Sequence, residues 1–272
     1  MSSARSYLFV PGHRHQMADK AFTRGADEVI IDLEDAVPAA DKQTARTNAR
    51  EILGRRRGWV RINAVGSADA VADLNAVAGH AYGVRIPKVD SPRDVAWVAS
   101  RLPKGTKLLC AIETARGVLA APEIASLPGV ERLALGGIDL RADLRCGTSP
   151  HALDYARSAL VIASRAHGLA SPIDSVFAHV NDPAALAEEA RIARELGFGA
   201  KSAIHPKQLD TIHRVFMPSA NDITWATTIM HALEISDGRP TTTSDGEFID
   251  APVEARARRI LAHHDDRSAA TG

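Results

Sequence analysis

The alternation of short apolar runs with longer amphipathic stretches is the feature that most constrains the fold of this 272-residue chain. Eight runs are rich in β-branched and other apolar residues and have the length of buried strands. Between them lie stretches with apolar residues at helical spacing, several of which end in a glycine, as helices often do. We predict helices within 16–25, 41–54, 68–79, 92–102, 121–127, 152–168 and 182–197. We predict strands at 7–10, 28–33, 59–63, 83–87, 108–113, 132–137, 171–176 and 200–205.

Eight strands in strict alternation with helices predict an α/β protein whose sheet closes into a (β/α)8 TIM barrel. An open doubly wound sheet usually has only about five or six strands. Two further helical patterns, at 219–236 and 249–264, follow the eighth strand and are not needed to complete a barrel. We therefore expect a catalytic barrel domain over residues 1–217 and a C-terminal helical extension or lid over residues 218–272.

Charge and cysteine content exclude several classes of protein. The formal net charge is zero at pH 7, so the chain lacks a broad electrostatic footprint for nucleic acid or an anionic membrane. Cys110 and Cys146 lie far apart and outside any CxxC spacing, which argues against a disulfide framework or a zinc knuckle. The sequence has neither a long apolar signal region nor a run long enough to span a membrane. We expect a soluble, cytoplasmic protein that binds neither nucleic acid nor membranes.

The segment VIIDLEDAV, residues 29–37, places three carboxylates at the end of a predicted buried strand. Carboxylates in a nearly dry environment shift their pKa values or require a positive partner. In a (β/α)8 barrel the carboxyl ends of all strands meet at one mouth, where the chemistry takes place. We expect that mouth to collect the polar residues at the strand ends: Asp32, Glu34, Asp35, Arg61, Asn63, Lys88, Glu113 and Asp139.

Two kinds of positive partner are consistent with these acids. Carboxylate oxygens completed by water suit Mg²⁺ or Mn²⁺, and the nearby histidines show no zinc-binding spacing. Alternatively, Arg61, Lys88 and Arg116 neutralise the acids as an ion-pair network. On the residues alone, both interpretations stay open.

Nine segments between residues 5 and 253 match one protein family in the same order. They are RSYLFVPG, IIDLEDAV, KQTAR, VRIN, RIPKV, AIETARG, LALGGIDL, GFGAKSAIHPKQL and GEFIDAPV. The chain thereby resembles the citrate lyase β-subunit-like CoA-ester lyases of the HpcH/HpaI aldolase family. The number and order of the segments make this resemblance far more specific than one short motif. The family fold is a (β/α)8 barrel with a C-terminal extension, in agreement with the strand pattern.

The resemblance implies that Glu113 of IETARG and Asp139 of GIDL bind Mg²⁺, with water and substrate oxygens completing the coordination. Glu34 and Asp35 would then be catalytic acids that accept hydrogen bonds from metal-bound waters and basic neighbours, direct ligation being the less favoured alternative. Arg61 resembles the family arginine that binds the substrate carboxylate and the developing oxyanion, a role suited to its planar fork of donors. A salt bridge from Arg61 to either acid is compatible with that role.

The implied reaction is reversible cleavage of a carbon–carbon bond in a β-hydroxyacyl thioester. Mg²⁺ would chelate oxygens of the 2-oxo-acid half, a base would take the hydroxyl proton, and the other half would leave as a thioester enolate. Malyl-, citramalyl- and citryl-CoA are candidate substrates. Two alternatives stay open: a class II aldolase acting on a free hydroxy-oxo acid, and a subunit that needs an acyl-carrier partner.

In the family, glycine-rich and basic segments at the mouth receive the CoA. The matching candidates here are His13 and Arg14 of PGHRH, Lys88 of IPKV, and Gly137 of GGIDL. Ordinary solvation in a loop is the alternative for His13. The chain departs from many relatives in one respect, because Ile138 stands where they carry a glutamate just before the metal-binding aspartate.

The last candidate site residue is Asp250 of GEFIDAPV, beyond the predicted barrel. In the family the matching acid reaches over the barrel mouth of a neighbouring subunit and serves in proton transfer. The resemblance therefore implies a homo-oligomer, a trimer or a dimer of trimers, with Asp250 as general acid/base. Val253, Ala257, Ile260 and Leu261 form an apolar side of the tail for which we expect a partner surface. Capping of the tail helix is the alternative role for Asp250.

Overall fold

The computed structural model describes residues 4–268, and the chain divides into two compact units, Met1–Phe216 and Met217–Gly272. In the first unit, eight parallel strands close into a barrel in which each strand pairs with the next and the last pairs with the first. This confirms the predicted (β/α)8 barrel. The strands are β1 (Ser6–Pro11), β2 (Glu28–Asp32), β3 (Trp59–Arg61), β4 (Gly83–Ile86), β5 (Lys107–Ile112), β6 (Val130–Leu135), β7 (Ile173–Asp174) and β8 (Ala200–Ala203).

The described part of this unit contains ten α-helices, three of which the sequence pattern did not predict. The unpredicted helices are α5, α7 and α10. They have five, eight and seven residues. The ten are α1 (His15–Ala21), α2 (Lys42–Leu53), α3 (Ala68–Val77), α4 (Pro92–Ala99), α5 (Ala115–Leu119), α6 (Ala121–Ala125), α7 (Gly137–Leu144), α8 (Asp154–Ala166), α9 (Pro183–Glu195) and α10 (Leu209–Val215).

The strands are buried on both faces, as expected of a parallel barrel enclosed by helices. Alternate side chains form a separate inner cluster that fills the barrel, while the others pack against the helices. Trp59 dominates the inner cluster, and a Cβ at Gly83 would lie only 2.2 Å from its ring. Position 83 therefore requires glycine, because the Trp59 ring leaves no room for a side chain. The inner cluster comprises Ala4, Tyr7, Ile30, Trp59, Leu109, Ala134, Ile173 and Ala200.

Strand register places several polar residues at the carboxyl ends of the barrel strands. Asp32 pairs with Arg61 across β2 and β3, and Arg61 pairs with Arg85 across β3 and β4. Glu113 directly follows β5, and Asp139 lies in the first turn of α7, shortly after β6. These residues therefore share the barrel mouth, where sites form in this fold.

The second unit consists of two helices joined through a short antiparallel hairpin. They are α11 (Ala220–Ile235) and α12 (Ala251–Ser268), and the hairpin strands are β9 (Thr241–Thr242) and β10 (Phe248–Ile249). The predicted apolar side of α12 packs against α11 within this unit. The apolar side of α12 is thus covered by α11, and it does not by itself indicate contact with a neighbouring subunit. Within residues 4–268, no helix is both long and apolar enough to cross a membrane.

Candidate active site

Arg61 holds the carboxylate of Asp32 through two hydrogen bonds. Its Nε and Nη2 donate to the two carboxylate oxygens, each at 2.7 Å. The backbone N–H groups of Glu34 and Ala36 donate to the same carboxylate at 2.9 and 3.1 Å, so the loop after β2 wraps around it. Burial alone would raise the pKa of Asp32, but Arg61 and the backbone donors hold it below its ordinary value. Asp32 is therefore an ionised acid that orients Arg61.

Glu34 lies between two cations and is nevertheless difficult to ionise. Arg61 Nη1 lies 2.8 Å from its Oε2, and Lys88 Nζ donates to its Oε1 at 2.7 Å. Burial raises the pKa of Glu34 to about 7, with Asp35 adding to the shift and the two cations opposing it. Such a group can take up or release a proton near neutral pH, as general acid–base catalysis requires. Asp35 is exposed and accepts a hydrogen bond from Arg61 Nη1 at 3.3 Å.

Lys88 connects Glu34 to the next acid around the mouth. Its Nζ lies 4.0 Å from Oε2 of Glu113 in addition to its bond with Glu34. Burial would lower the pKa of Lys88, but the bond to Glu34 raises it above its ordinary value. The backbone of Lys88 has a φ of 49°, in the left-handed region that side-chain-bearing residues rarely adopt and that often marks functional sites. Its partners here are carboxylates, and contact with CoA phosphates stays a prediction.

Asp32 at the end of β2, with Glu34 and Asp35 just after it, is thus ion-paired with Arg61 and Lys88, two of the three cations named in the ion-pair interpretation. Arg116, the third predicted cation, is exposed on α5. The question of a metal therefore concerns Glu113 and Asp139, of which Glu113 lies 4.0 Å from Nζ of Lys88.

Glu113 and Asp139 form a carboxylate pair whose surroundings fit a divalent cation. Glu113 is only 3% exposed, and its Oε2 has no hydrogen-bond partner among the described residues. Burial raises the pKa of Glu113, with Arg85 opposing the shift and Asp139 adding to it. A Cβ at Gly136 would lie 2.2 Å from Cγ of Glu113, so the chain passes directly beside this carboxylate. A buried, under-bonded carboxylate next to a second acid suits a hard cation with oxygen ligands.

Two carboxylates leave most of the coordination shell to other oxygens. Between residues 4 and 268, no three His, Cys, Asp or Glu side chains cluster in a way that could hold a metal ion. Mg²⁺ usually keeps several waters and binds through one or two carboxylates together with substrate oxygens. Ile138 is 56% exposed beside Asp139, so this position adds an apolar surface and no third carboxylate.

The other predicted binding residues of the barrel lie in the loop after β1 and at the start of α7. The Nδ1 atom of His13 is buried without a hydrogen-bond partner among the described residues, while its carbonyl accepts from Asn48 at 3.3 Å. Arg14 is exposed and immediately precedes α1. The N–H of Gly137 donates to Oγ of Ser175 at 2.9 Å, which fixes the start of α7. Their role in binding CoA stays a prediction.

Asp250 immediately precedes α12 in the second unit. Its Oδ1 accepts a hydrogen bond from the backbone N–H of Val253 at 3.2 Å. This is the helix-capping role that the sequence offered as the alternative. The cap engages one carboxylate oxygen and is compatible with a role in proton transfer, which stays a prediction.

Two residues at the mouth were not predicted from the sequence. Lys42 Nζ donates to the carbonyls of Leu33 and Glu34 at 2.6 and 2.7 Å and to Oδ1 of Asn63 at 2.7 Å. It fixes the backbone that carries Glu34. In the sequence, Lys42 could have been identified from the KQTAR segment, of which it is the first residue. Arg85 is 4% exposed, and its Nε and Nη1 are buried without hydrogen-bond partners among the described residues. In the sequence, Arg85 could have been identified as a charged residue inside the predicted buried strand GVRIP.

Comparisons with known proteins identify the family to which the chain is similar. The family described as HpcH/HpaI aldolase/citrate lyase matches residues 5–206. The citrate lyase subunit beta of Escherichia coli (strain K12) is 35% identical, covering 95% of this chain and 92% of its own length. A (3S)-malyl-CoA thioesterase of Cereibacter sphaeroides is also 35% identical, covering 95% of this chain and 93% of its own length.

A solved structure shares the fold over nearly the whole chain. It is the crystal structure of protein CitE from Mycobacterium tuberculosis in complex with magnesium, acetoacetate and coenzyme A. The TM-score is 0.84 at 31% identity, and the match covers 96% of this chain and 97% of that one. The sequence resemblance is thereby confirmed. The chain belongs to the HpcH/HpaI aldolase/citrate lyase family, as a carbon–carbon lyase of the citrate lyase β-subunit-like, CoA-ester type.

Proposed function

We propose that the protein is a Mg²⁺-dependent lyase that cleaves or forms a carbon–carbon bond in a β-hydroxyacyl-CoA thioester. The products of cleavage are acetyl-CoA or another acyl-CoA and a 2-oxo acid. The observation that carries the proposal is the buried, under-bonded carboxylate of Glu113 beside Asp139 at the barrel mouth. These two acids would hold Mg²⁺, with Mn²⁺ as a candidate substitute. The magnesium and coenzyme A in the M. tuberculosis relative support the same chemistry.

The cations of the mouth stabilise negative charge on the substrate. When bound, Mg²⁺ supplies Lewis-acid polarisation of the carboxylate and hydroxyl oxygens on the 2-oxo-acid half. Arg61, which Asp32 orients through two hydrogen bonds, provides the guanidinium charge that stabilises the negative charge developing during cleavage. Lys88 adds a second positive charge from the other side of Glu34.

Two acids are assigned to proton transfer. Glu34, with a pKa of about 7, takes the hydroxyl proton as the carbon–carbon bond breaks. Asp35 supports it by binding Nη1 of Arg61. Asp250 of a neighbouring subunit delivers a proton to the departing thioester enolate, and the reverse direction uses the same groups. This assignment requires a homo-oligomer, a trimer or a dimer of trimers.

Residues around the mouth are assigned to the CoA moiety. Arg14 offers an exposed guanidinium to the phosphates, and His13 precedes it in the same loop. Lys88 lies on the loop after β4, and Gly137 begins α7 after β6, so the CoA would cross this part of the mouth.

A thioester panel tests the proposed reaction. Malyl-, citramalyl- and citryl-CoA are incubated with the purified protein and Mg²⁺, and the products are identified by mass spectrometry. We expect acetyl-CoA and a 2-oxo acid from at least one ester, and no turnover with EDTA. Free CoA and an intact hydroxy acid would instead indicate hydrolysis, a second candidate that the malyl-CoA thioesterase relative favours.

Two additional incubations separate the lyase from an aldolase and from a carrier-dependent subunit. Turnover of a free hydroxy-oxo acid without CoA would support a class II aldolase. Turnover of an acyl group only when it is attached to a carrier protein would support a subunit that depends on an acyl-carrier partner.

A further inference from the structure

Two arginines extend from neighbouring strands at the same level of the barrel. Arg61 and Arg85 are register partners on β3 and β4. Their guanidinium carbons lie 5.1 and 5.0 Å from the centroid of the Phe9 ring. Arg61 has a dedicated carboxylate in Asp32, bound through two hydrogen bonds. Arg85 has no equivalent partner among the described residues, although it is the more deeply buried of the two.

Arg85 remains a cation in this environment. Burial lowers its pKa to about 10, and the charge of Arg61 adds to the decrease while that of Glu113 opposes it. The side chain is therefore charged at neutral pH, yet its buried Nε and Nη1 donate no hydrogen bond to a described residue. A buried charged donor without an acceptor is unfavourable unless a ligand supplies the acceptor. Of the acids whose charges raise the pKa of Arg85, Asp32 is committed to Arg61, and Glu34 to Arg61 and Lys88. The third, Glu113, accepts no hydrogen bond from Arg85 through its Oε2.

The position of Arg85 relative to the carboxylate pair determines which part of a ligand it would meet. Arg85 pairs with Leu109 in the register of β4 and β5, and Glu113 lies four positions beyond Leu109 toward the mouth. Among the charged neighbours of Arg85, Glu113 has the largest effect on its pKa. Arg85 thus lies on the barrel side of the carboxylate pair, below any ligand held there.

We propose that Arg85 binds a second carboxylate on the 2-oxo-acid half of the substrate and thereby selects dicarboxylic over monocarboxylic 2-oxo acids. This inference rests on the proposed lyase function and names its substrate class. A guanidinium presents parallel N–H donors that match both oxygens of a carboxylate. A monocarboxylic acid would leave these buried donors unbonded, which is the condition under which a site discriminates strongly between similar ligands.

A matched pair of ligands isolates the second carboxylate. Oxaloacetate and 2-oxobutyrate have the same carbon chain, and the first ends in a carboxylate where the second ends in a methyl group. Freshly prepared solutions of each are titrated calorimetrically into the protein in the presence of Mg²⁺. We expect oxaloacetate to bind at least tenfold more tightly. The assay measures binding without turnover, so its failure is distinct from failure of the lyase assignment in the thioester panel.

Three variants assign the preference to Arg85. Arg85→Met should reduce the ratio of the two dissociation constants to near one, and Arg85→Lys should leave an intermediate ratio because it keeps the charge but loses the fork. Arg24→Met, at an exposed position of the loop after α1, should keep the wild-type ratio. Because Arg85 makes no hydrogen bond through Nε or Nη1, the Tm of Arg85→Met should equal or exceed that of the wild type.

A wild-type ratio below threefold, or an unchanged ratio in Arg85→Met, would overturn the proposal. If Arg85→Met folds with a clearly lower Tm and an unchanged ratio of the two dissociation constants, Arg85 stabilises the fold and does not select the substrate. If Arg85→Met does not fold, Arg85→Lys decides: a reduced ratio supports the proposal, and a wild-type ratio contradicts it.

Discussion

Asp32 and Arg61 are register partners on neighbouring strands, and two hydrogen bonds of 2.7 Å join the carboxylate of one to the guanidinium of the other. The pair fixes the plane of the guanidinium, since both carboxylate oxygens are engaged. Nη1 of Arg61 is thereby directed to Glu34 and Asp35. An acid at the end of a buried strand thus orients the cation assigned to the substrate.

Replacing Arg61 by lysine keeps the charge but removes the fork that Asp32 orients. We expect kcat/KM for the active thioester to fall by roughly 10²-fold or more, on the order of 3 kcal/mol of transition-state stabilisation. Steady-state kinetics measure the loss, and Arg24→Lys, at an exposed position, is the control. A change of less than threefold would return Arg61 to a purely structural role.

Replacing Glu113 by glutamine removes a metal ligand while keeping its volume. We expect weaker Mn²⁺ and Mg²⁺ binding and loss of activity, with an unchanged circular dichroism spectrum, because the ligand is lost and the barrel is not disturbed. Mn²⁺ titration followed by electron paramagnetic resonance reports the affinity. Glu123→Gln, on the exposed side of α6, is the control. Full activity of Glu113→Gln without added metal would refute the assignment.

The raised pKa of Glu34 predicts a pH-dependent stability difference. Its pKa is about 7 in the folded protein against an ordinary value of 4.5, so the folded state binds the proton more tightly. Stability is therefore lost as the pH rises from about 4.5 through 7, by at most about 3 kcal/mol from this group. Glu34→Gln lacks this loss, and its stability relative to the wild type should increase between pH 5 and pH 8.

Urea unfolding of the wild type and Glu34→Gln at both pH values measures this difference. Glu123→Gln, at an exposed position of α6, is the control. A stability difference that stays constant with pH, or that moves toward the wild type as the pH rises, would contradict the raised pKa.

A mixing experiment tests whether Asp250 completes the site of a neighbouring subunit. Asp250→Asn and Glu113→Gln proteins should each be nearly inactive. When they are unfolded together and reassembled, part of the activity should return, because some sites combine an intact mouth with an intact tail. Asparagine can also cap α12 through its side-chain oxygen, so the substitution preserves the helix start.

Oligomers that carry two different affinity tags verify that mixing has occurred. Absence of recovery in such mixed oligomers, or a fully active monomer, would leave Asp250 as a helix cap alone.

The sequence indicated the candidate site because parallel strands of a barrel end at one mouth, so polar residues after apolar runs are expected to lie together there. It could not decide how those residues pair. The commitment of Arg61 to Asp32 depends on strand register, and Lys88, which bonds Glu34, has a left-handed backbone that its residue type does not predict. Arg85 was not predicted as a site residue because the sequence does not show whether a charged residue inside an apolar run faces water or the barrel interior.

The extension shows a different limit of sequence reasoning. The pattern of α12 identified its apolar side correctly but not what covers it, because that depends on how α11 folds back against it. The short helices α5, α7 and α10 were missed because their capping and packing, and not a repeated pattern, determine them.

Gly136 performs no chemistry, yet the space it leaves determines where a metal ligand can stand. Even one methyl group at this position would lie 2.2 Å from Cγ of Glu113 and would displace the carboxylate. In a library of all substitutions at position 136, selection for activity should therefore retain glycine alone, as strictly as it retains glutamate at position 113. Intolerance to mutation, taken by itself, would mark Gly136 as catalytic, although its contribution is steric.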